Sequence, residues 1–163
     1  RAKVGKKQFF ALFLAIFMLV SVLLWVWTKN PDNIAMGYAG RFFQQWGLTS
    51  ATGFMWSLVP EVVTYGEYTS GKRVAGIINA IMGLFFKIGL ALGGIIPGYI
   101  NAATGFDGTK KIQSAGALMG LQWSMIWLPI IMAVIAILVI MKYPLTDEEV
   151  NKMNHEVEAR HKN

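Results

Sequence analysis

The sequence predicts an all-α, polytopic membrane protein with four transmembrane helices, and three observations carry that reading. First, only 15% of the 163 residues are charged and 55% are hydrophobic, where soluble domains carry about 25% charge. Mean hydropathy is accordingly positive, +0.46. Second, the charges are bunched. None lies between Lys7 and Lys29, none between Arg41 and Glu61, Lys87 stands alone between Arg73 and Asp107, and none occurs from Ile112 to Met141. An uncharged apolar run of about 18 residues or more reads as a span, because about 20 residues cross ~30 Å of hydrocarbon. Third, the basic residues sort by side once those spans are drawn. A soluble enzyme, a nucleic-acid module and a disordered tail are excluded. The absence of cysteine excludes disulfide frameworks, thiolate metal sites and cysteine nucleophiles. The chain opens on Arg1 without a signal-peptide pattern, so we expect a piece of a longer protein.

The first span is predicted over residues 8–27, solid in Phe, Leu, Ile, Val and Ala, with Trp25 and Trp27 at the end where amphipathic rings favour the interface. Pro31 stops it, and Asp32 or Asn33 caps the next helix. The second span, 34–65, is long and irregular, with Arg41, Gln44, Gln45, Thr49, Ser50, Thr52 and several glycines inside it. The third covers 74–100 and the fourth 115–141, the plainest of the set. These make a transmembrane region of residues 8–142, between a loop at 1–7 and a tail at 143–163. In the tail, Thr146 and Glu149 have capping-box spacing, and Val150, Met153 and Val157 form a thin apolar stripe. His155 and His161 there read as a solvated pair.

The side holding both termini carries Arg1, Lys3, Lys6, Lys7, Lys72, Arg73, Lys142, Lys152, Arg160 and Lys162. The other side has Lys29, Lys110 and Lys111. The positive-inside rule makes the termini cytoplasmic, with 1–7 a cytoplasmic loop and 143–163 a cytoplasmic tail of a protein in the cell (inner) membrane.

Charged groups inside spans mark function by default. Lys87 lies ~20 Å along its helix at 1.5 Å per residue, past the midplane, so it should face protein, water or ligand. Its functional reading is a substrate or ion contact; its plain reading is a lysine buried for packing. Glu61 and Glu67 sit near the cytoplasmic end of the second helix. They are expected to answer Lys72 and Arg73 across the short turn, either as a gate or as a static interfacial network. Arg41 sits about two turns inside its span and is expected to snorkel. Trp46 and Trp56 can stack on a sugar ring or simply pack, and Thr52 is a further polar candidate for contact with substrate. The spans hold no Ser/His/Asp arrangement, no phosphate-binding loop and no metal-ligand cluster. We therefore expect no enzyme and no cofactor.

The stretch PEVVTYGEYTSGKRVAGIINAIMGLFFK, Pro60 to Lys87, resembles the glycoside–pentoside–hexuronide:cation symporter family, the melibiose-permease group of the major facilitator superfamily. The likeness rests on Glu61, then Tyr65-Gly66-Glu67-Tyr68, the turn Gly71-Lys72-Arg73, and Lys87 at the family's spacing. Thr64 stands where the family often has a second aspartate, and Glu61 where it usually has Asp. The resemblance implies helices nine to twelve of a twelve-helix carrier that moves a sugar or glycoside with Na⁺ or H⁺ by alternating access. It further implies that Lys87 faces the central cavity and that Glu61, Glu67 and Arg73 belong to a cytoplasmic gate; we expect Trp56 and Thr52 as further substrate contacts and Tyr65 as a further gate residue. The coupling-cation site would lie outside this stretch. Implied partners are the substrate, the cation, the bilayer and the amino-terminal helices of the same carrier, with no nucleic acid. Alternatives are a four-helix membrane scaffold or subunit without transport, and a lysolipid symporter of the same family.

Overall fold

The structure, a computed structural model, describes residues 5–30, 33–72 and 74–162, the side chains of 147, 161 and 162 excepted. Arg73 therefore lies outside the described residues. Every regular element among them is helical: α1 Lys6–Trp27, α2 Ile34–Ser70, α3 Ala75–Ala103, α4 Ala115–Gln122, a π-helical turn Trp123–Trp127, α5 Leu128–Met141 and α6 Asp147–Lys162.

Among the described residues, three segments are long and apolar enough to cross a membrane: α1, α3 and the continuous run Ala115–Met141. The polar residues of α2 keep it out of that set, yet it runs in register beside α1. Lys6 pairs with Glu61, Phe13 meets Trp46, Gln44 bonds to Ser21, and Trp27 lies against Gly37. The two helices are thus antiparallel neighbours along the whole of α1. If α1 crosses, the stretch from Gly37 to Glu61 crosses beside it.

Local chemistry sets the element ends. Asn33 caps α2 by accepting the Met36 N–H at 3.2 Å, and Ser114 caps α4 by accepting from Ala117 at 3.1 Å. Gly71 ends α2 at φ +67°, the left-handed position glycine adopts without a Cβ penalty, and its N–H returns to the Glu67 carbonyl at 2.9 Å. The fourth span departs from a plain helix. Pro129 has no N–H to give the Met125 carbonyl, and the helix widens just before it, the Leu128 N–H bonding to Trp123. Ser124 in that turn donates to Asn101 Oδ1 at 3.1 Å and so ties it to α3.

Phe10, Leu14 and Phe17 of α1 pack against Ala51 of α2 and Ala133 of α5, with Phe54 and Ile137 around them. Lipid tails are as apolar as these side chains, so what holds helices together here is dispersion contact and hydrogen bonding rather than escape from water. Ser21 and Gln44 supply the hydrogen bonds. Gln44 Nε2 donates to Ser21 Oγ at 2.7 Å, and Ser21 Oγ donates to the Phe17 carbonyl at 2.7 Å. At Gly47 an added Cβ would come within 3.2 Å of the Phe13 carbonyl and the Phe17 nitrogen, so this glycine lets the two backbones touch.

Beyond Glu61, α2 continues about 14 Å past the level where α1 begins, at 1.5 Å per residue. There α6 docks on it. Val150, Met153 and Val157 are buried, Thr64 Oγ1 bonds to Asn154 Oδ1 at 2.8 Å, and Arg160 donates to the Tyr68 carbonyl at 3.1 Å with its guanidinium over the Tyr68 ring. The tail's apolar stripe is thus an interface.

Candidate functional site

α3 begins beside that projecting end of α2, since Val74 and Ile78 lie against Gly66, where a Cβ would meet Val74 Cγ2 at 2.7 Å. The glycine of the Tyr-Gly-Glu motif is what allows this approach. Further in, Trp56 meets Phe86 edge-on, ring centres 5.4 Å apart. A cleft of about 420 Å³ then opens between Thr52 and Met55 of α2 and Met82, Phe85, Phe86, Gly89 and Leu90 of α3.

Ile78, Met82, Phe85 and Gly89 form the stripe of α3 that faces α2. Lys87 is two residues from both Phe85 and Gly89, about 200° of helix rotation, and so lies on the opposite face. It is exposed and does not line the cleft. Gly76, Ala80, Gly83, Ala91, Gly94 and Gly98 share that face by the same count, and a Cβ at Gly76, Gly83, Gly94 or Gly98 would meet nothing within 4 Å. No residue of α3 is buried. The structure therefore brings Thr52 and Trp56 together, one turn apart beside Phe86, and leaves Lys87 apart from both. The Thr52 hydroxyl donates to its own helix, to the Leu48 carbonyl at 2.9 Å.

The helix contacts also set the level of Lys87 relative to α1. Counting from the start of α3 put it past the midplane, but the first turns of α3 lie outside the level of Lys6. Measured through the Gly66–Ile78 and Thr52–Gly89 contacts, Lys87 is about 6–10 Å inside that level.

The expected partners of Glu61 are corrected as well. Lys72 lies about 16 Å further along the chain axis, out of reach of a carboxylate on the same helix. Glu61 instead accepts from Lys6 Nζ at 2.5 Å, with its own side chain 6% exposed and that of Lys6 44%. Thr64, Asn151 and Asn154 line a cavity of about 340 Å³ around the pair. The buried Tyr143 hydroxyl has no partner in hydrogen-bonding geometry among the described residues. Its burial, reinforced by the nearby Glu61 carboxylate, pushes the phenol up to about 12, so it stays protonated. Lys7 donates to the Tyr143 carbonyl at 3.2 Å. Lys6, Tyr143 and Asn154 are the residues sequence reasoning missed. The signal for Lys6 was there, since two antiparallel helices on either side of the 28–33 turn place Lys6 and Glu61 at one level.

Tyr65 is half-exposed on the projecting end of α2 beside Gly66 and Glu67. Arg73, the remaining gate residue, falls outside the described residues. Among those residues no group of His, Asp and Glu is placed to hold a metal ion.

Antiparallel helices of membrane-crossing length, with a lysine on an uncovered helix face and an ion pair at one end, define a polytopic membrane protein. The chain belongs to the MFS/sugar transport protein family, whose model it matches over residues 1–147. This is the symporter grouping that the Pro60–Lys87 stretch resembles. The chain is 37% identical over 160 residues to the uncharacterized symporter YnaJ of Bacillus subtilis (strain 168), covering 97% of this chain and 34% of that protein. It is 29% identical over 161 residues to a glucuronide carrier protein homolog of Escherichia coli (strain K12), covering 99% and 35%. It is 31% identical over 157 residues to a putative sulfoquinovose importer of the same organism, covering 91% and 32%. The chain thus spans about a third of the length of these relatives. No solved structure matches it.

Proposed function

We propose that this chain is the carboxy-terminal third of a secondary transporter that moves a sugar or glycoside together with Na⁺ or H⁺ by alternating access. The observation that carries the reading is the bare α3 face, where a lysine within the span lies amid small residues. A cation in hydrocarbon costs roughly 2.5–3.5 kcal/mol on the insertion scale, so Lys87 belongs against protein, water or ligand. Small residues on both sides of it leave room for a ligand or a second helix. The names of the relatives support the substrate class, and they do not favour a scaffold without transport.

Lys87 is the residue that would contact substrate. Trp56 and Thr52 serve better as packing between α2 and α3. The Lys6–Glu61 pair joins neighbouring helices of one bundle, so it clamps that bundle. Gating against another bundle would fall to Tyr65, Glu67 and Arg73 on the projecting turn. Both termini of this stretch would be cytoplasmic, as the clustering of Lys and Arg at the Lys6 end supports. The coupling-cation site would lie elsewhere in the carrier.

The test is substrate counterflow by the full protein in vesicles, screened with glycosides, pentosides and uronides under Na⁺ or H⁺ gradients. Lys87→Gln is expected to abolish or strongly reduce counterflow while the protein remains inserted. Normal counterflow by that variant would remove Lys87 from the substrate path.

A further inference from the structure

Arg41 is the charged residue within a span that transport leaves unused, and it lines a cleft of its own. That cleft, about 540 Å³, lies at the Trp27 end between α1, α2 and the fourth span. Leu24, Trp27, Ile34, Leu118, Leu121 and Ile126 make its walls largely apolar, and its volume falls within the usual range for small-molecule sites, about 300–1,000 Å³.

The guanidinium is held from behind. Arg41 Nη1 donates to Gln44 Oε1 at 2.7 Å, and Gln44 is itself fixed by the buried Ser21. Arg41 Nη2 donates to Met125 Sδ at 2.8 Å across the cleft. Among the described residues no carboxylate is seen paired with Arg41. A guanidinium has five N–H donors, so several remain for an anion. Depth identifies the kind of anion. Arg41 stands about 30 Å from Glu61 along α2, one hydrocarbon thickness away. Its neighbours at that level are Trp25, Trp127 and Trp123, successive ring centres 5.5 and 6.4 Å apart, an aromatic cluster of the sort found at headgroup depth. Besides Arg41 the polar lining of the cleft is Thr28, Tyr38 and Gln122, and Gln122 already donates to the Thr28 hydroxyl at 3.2 Å, so most of the wall offers a sugar nothing to bond. An acyl chain needs no polar partner.

We propose that this cleft binds one anionic glycerophospholipid, with its phosphate on Arg41 and an acyl chain along Leu24, Leu118 and Leu121. The lipid neutralises a cation that has no carboxylate partner among the described residues, and it fills the wedge between α2 and the fourth span.

The test uses the full protein, stripped of lipid in detergent and followed by native mass spectrometry. It is titrated with phosphatidylglycerol, phosphatidylcholine or glycerol 3-phosphate. The first phosphatidylglycerol is expected to bind about five-fold more tightly than phosphatidylcholine, the effect of one basic side chain at the surface. Arg41→Gln should erase that preference and Arg41→Lys should keep most of it. Leu121→Trp, which fills the cleft but spares the charge, should weaken the first binding of both lipids. Melting temperatures of the unliganded variants within a few degrees of wild type would attribute these losses to the site. Three outcomes overturn the proposal: a preference that survives in Arg41→Gln, equal binding of the two lipids by wild type, or retention of glycerol 3-phosphate as strong as that of phosphatidylglycerol. The last would leave an anion site without a lipid.

Discussion

The α1–α2 hairpin and α3 are both long apolar helices, yet the chain treats them in opposite ways. The hairpin buries Phe10, Leu14, Phe17, Ser21 and Leu24 on one side and Gln44, Gly47, Ala51, Leu58 and Glu61 on the other. It turns its polar residues inward, as the Ser21–Gln44 bonds and the Lys6–Glu61 pair. In α3 nothing is buried, and its single charge and most of its small residues face away from α2. Apolarity does not distinguish the two, because lipid and protein neighbours are equally apolar. The position of the polar and small residues does. In α2 they specify a partner within this chain, and in α3 they point to a contact outside it.

The largest expected effect tests that contrast directly. Gly47→Leu drives a side chain into the α1 backbone and should cost about 3 kcal/mol, the upper part of the overpacking range, in denaturant unfolding of the protein in micelles. Gly94→Leu, where an added Cβ meets nothing within 4 Å, should change the same quantity by less than about 0.5 kcal/mol. In the full protein, Gly94→Leu should nonetheless slow substrate counterflow, because it crowds the face that carries Lys87. Equal destabilisation by the two substitutions would mean that the α3 face is already packed.

How much of this was legible in sequence is governed by the same physics. The first, third and fourth spans stood out because uncharged runs of that length have few other uses. The polar content of α2 blurred its crossing, and only its register with α1 restores it. It also runs on to Ser70, five residues past the expected end at Tyr65, because α6 covers the projecting turns. The capping box at Thr146 and the stripe Val150, Met153 and Val157 were readable, since both are local patterns. The Lys6–Glu61 pair was not read, because its partners are 55 residues apart and a nearer basic cluster drew attention to Lys72 and Arg73. The level of Lys87 relative to α1 was not legible, because sequence shows where a helix starts but not how it registers with its neighbours.

The next effect in size concerns the ion pair. Lys6→Ala leaves the Glu61 carboxylate buried without its donor, which should cost about 2 kcal/mol, the range for an orphaned charged partner that water still reaches on the lysine side. Glu61→Gln removes the charge together with the need for it, and the double variant should be more stable than Lys6→Ala alone. Additive losses in that cycle would show that the two side chains do not interact. The same variants sharpen the reading of Tyr143. With Glu61→Gln its phenol loses a neighbouring negative charge, so its titration, held up to about 12, should move down. Burial, the larger cause, should keep it above the ordinary tyrosine value.

The smallest effect separates the docked tail from the bundle. The Thr146 hydroxyl and N–H both donate to Glu149 Oε2, at 2.8 and 2.9 Å, and together they hold the Glu149 carboxyl below its usual range. A carboxylate stabilised in this way supports α6 fully above the ordinary carboxylate value, and its support is lost as the pH falls through the lowered folded value. Amide exchange protection across Val150–Val157 should therefore hold from pH 7 to 5 and fall only below about pH 4. Thr146→Ala should speed exchange there about five-fold at neutral pH and abolish that pH dependence. Protection in α1 and in the inner part of α2 should be unmoved by either change. If Thr146→Ala also loosened α1, the tail helix would be part of the bundle's stability and the division drawn at Glu61 would fail.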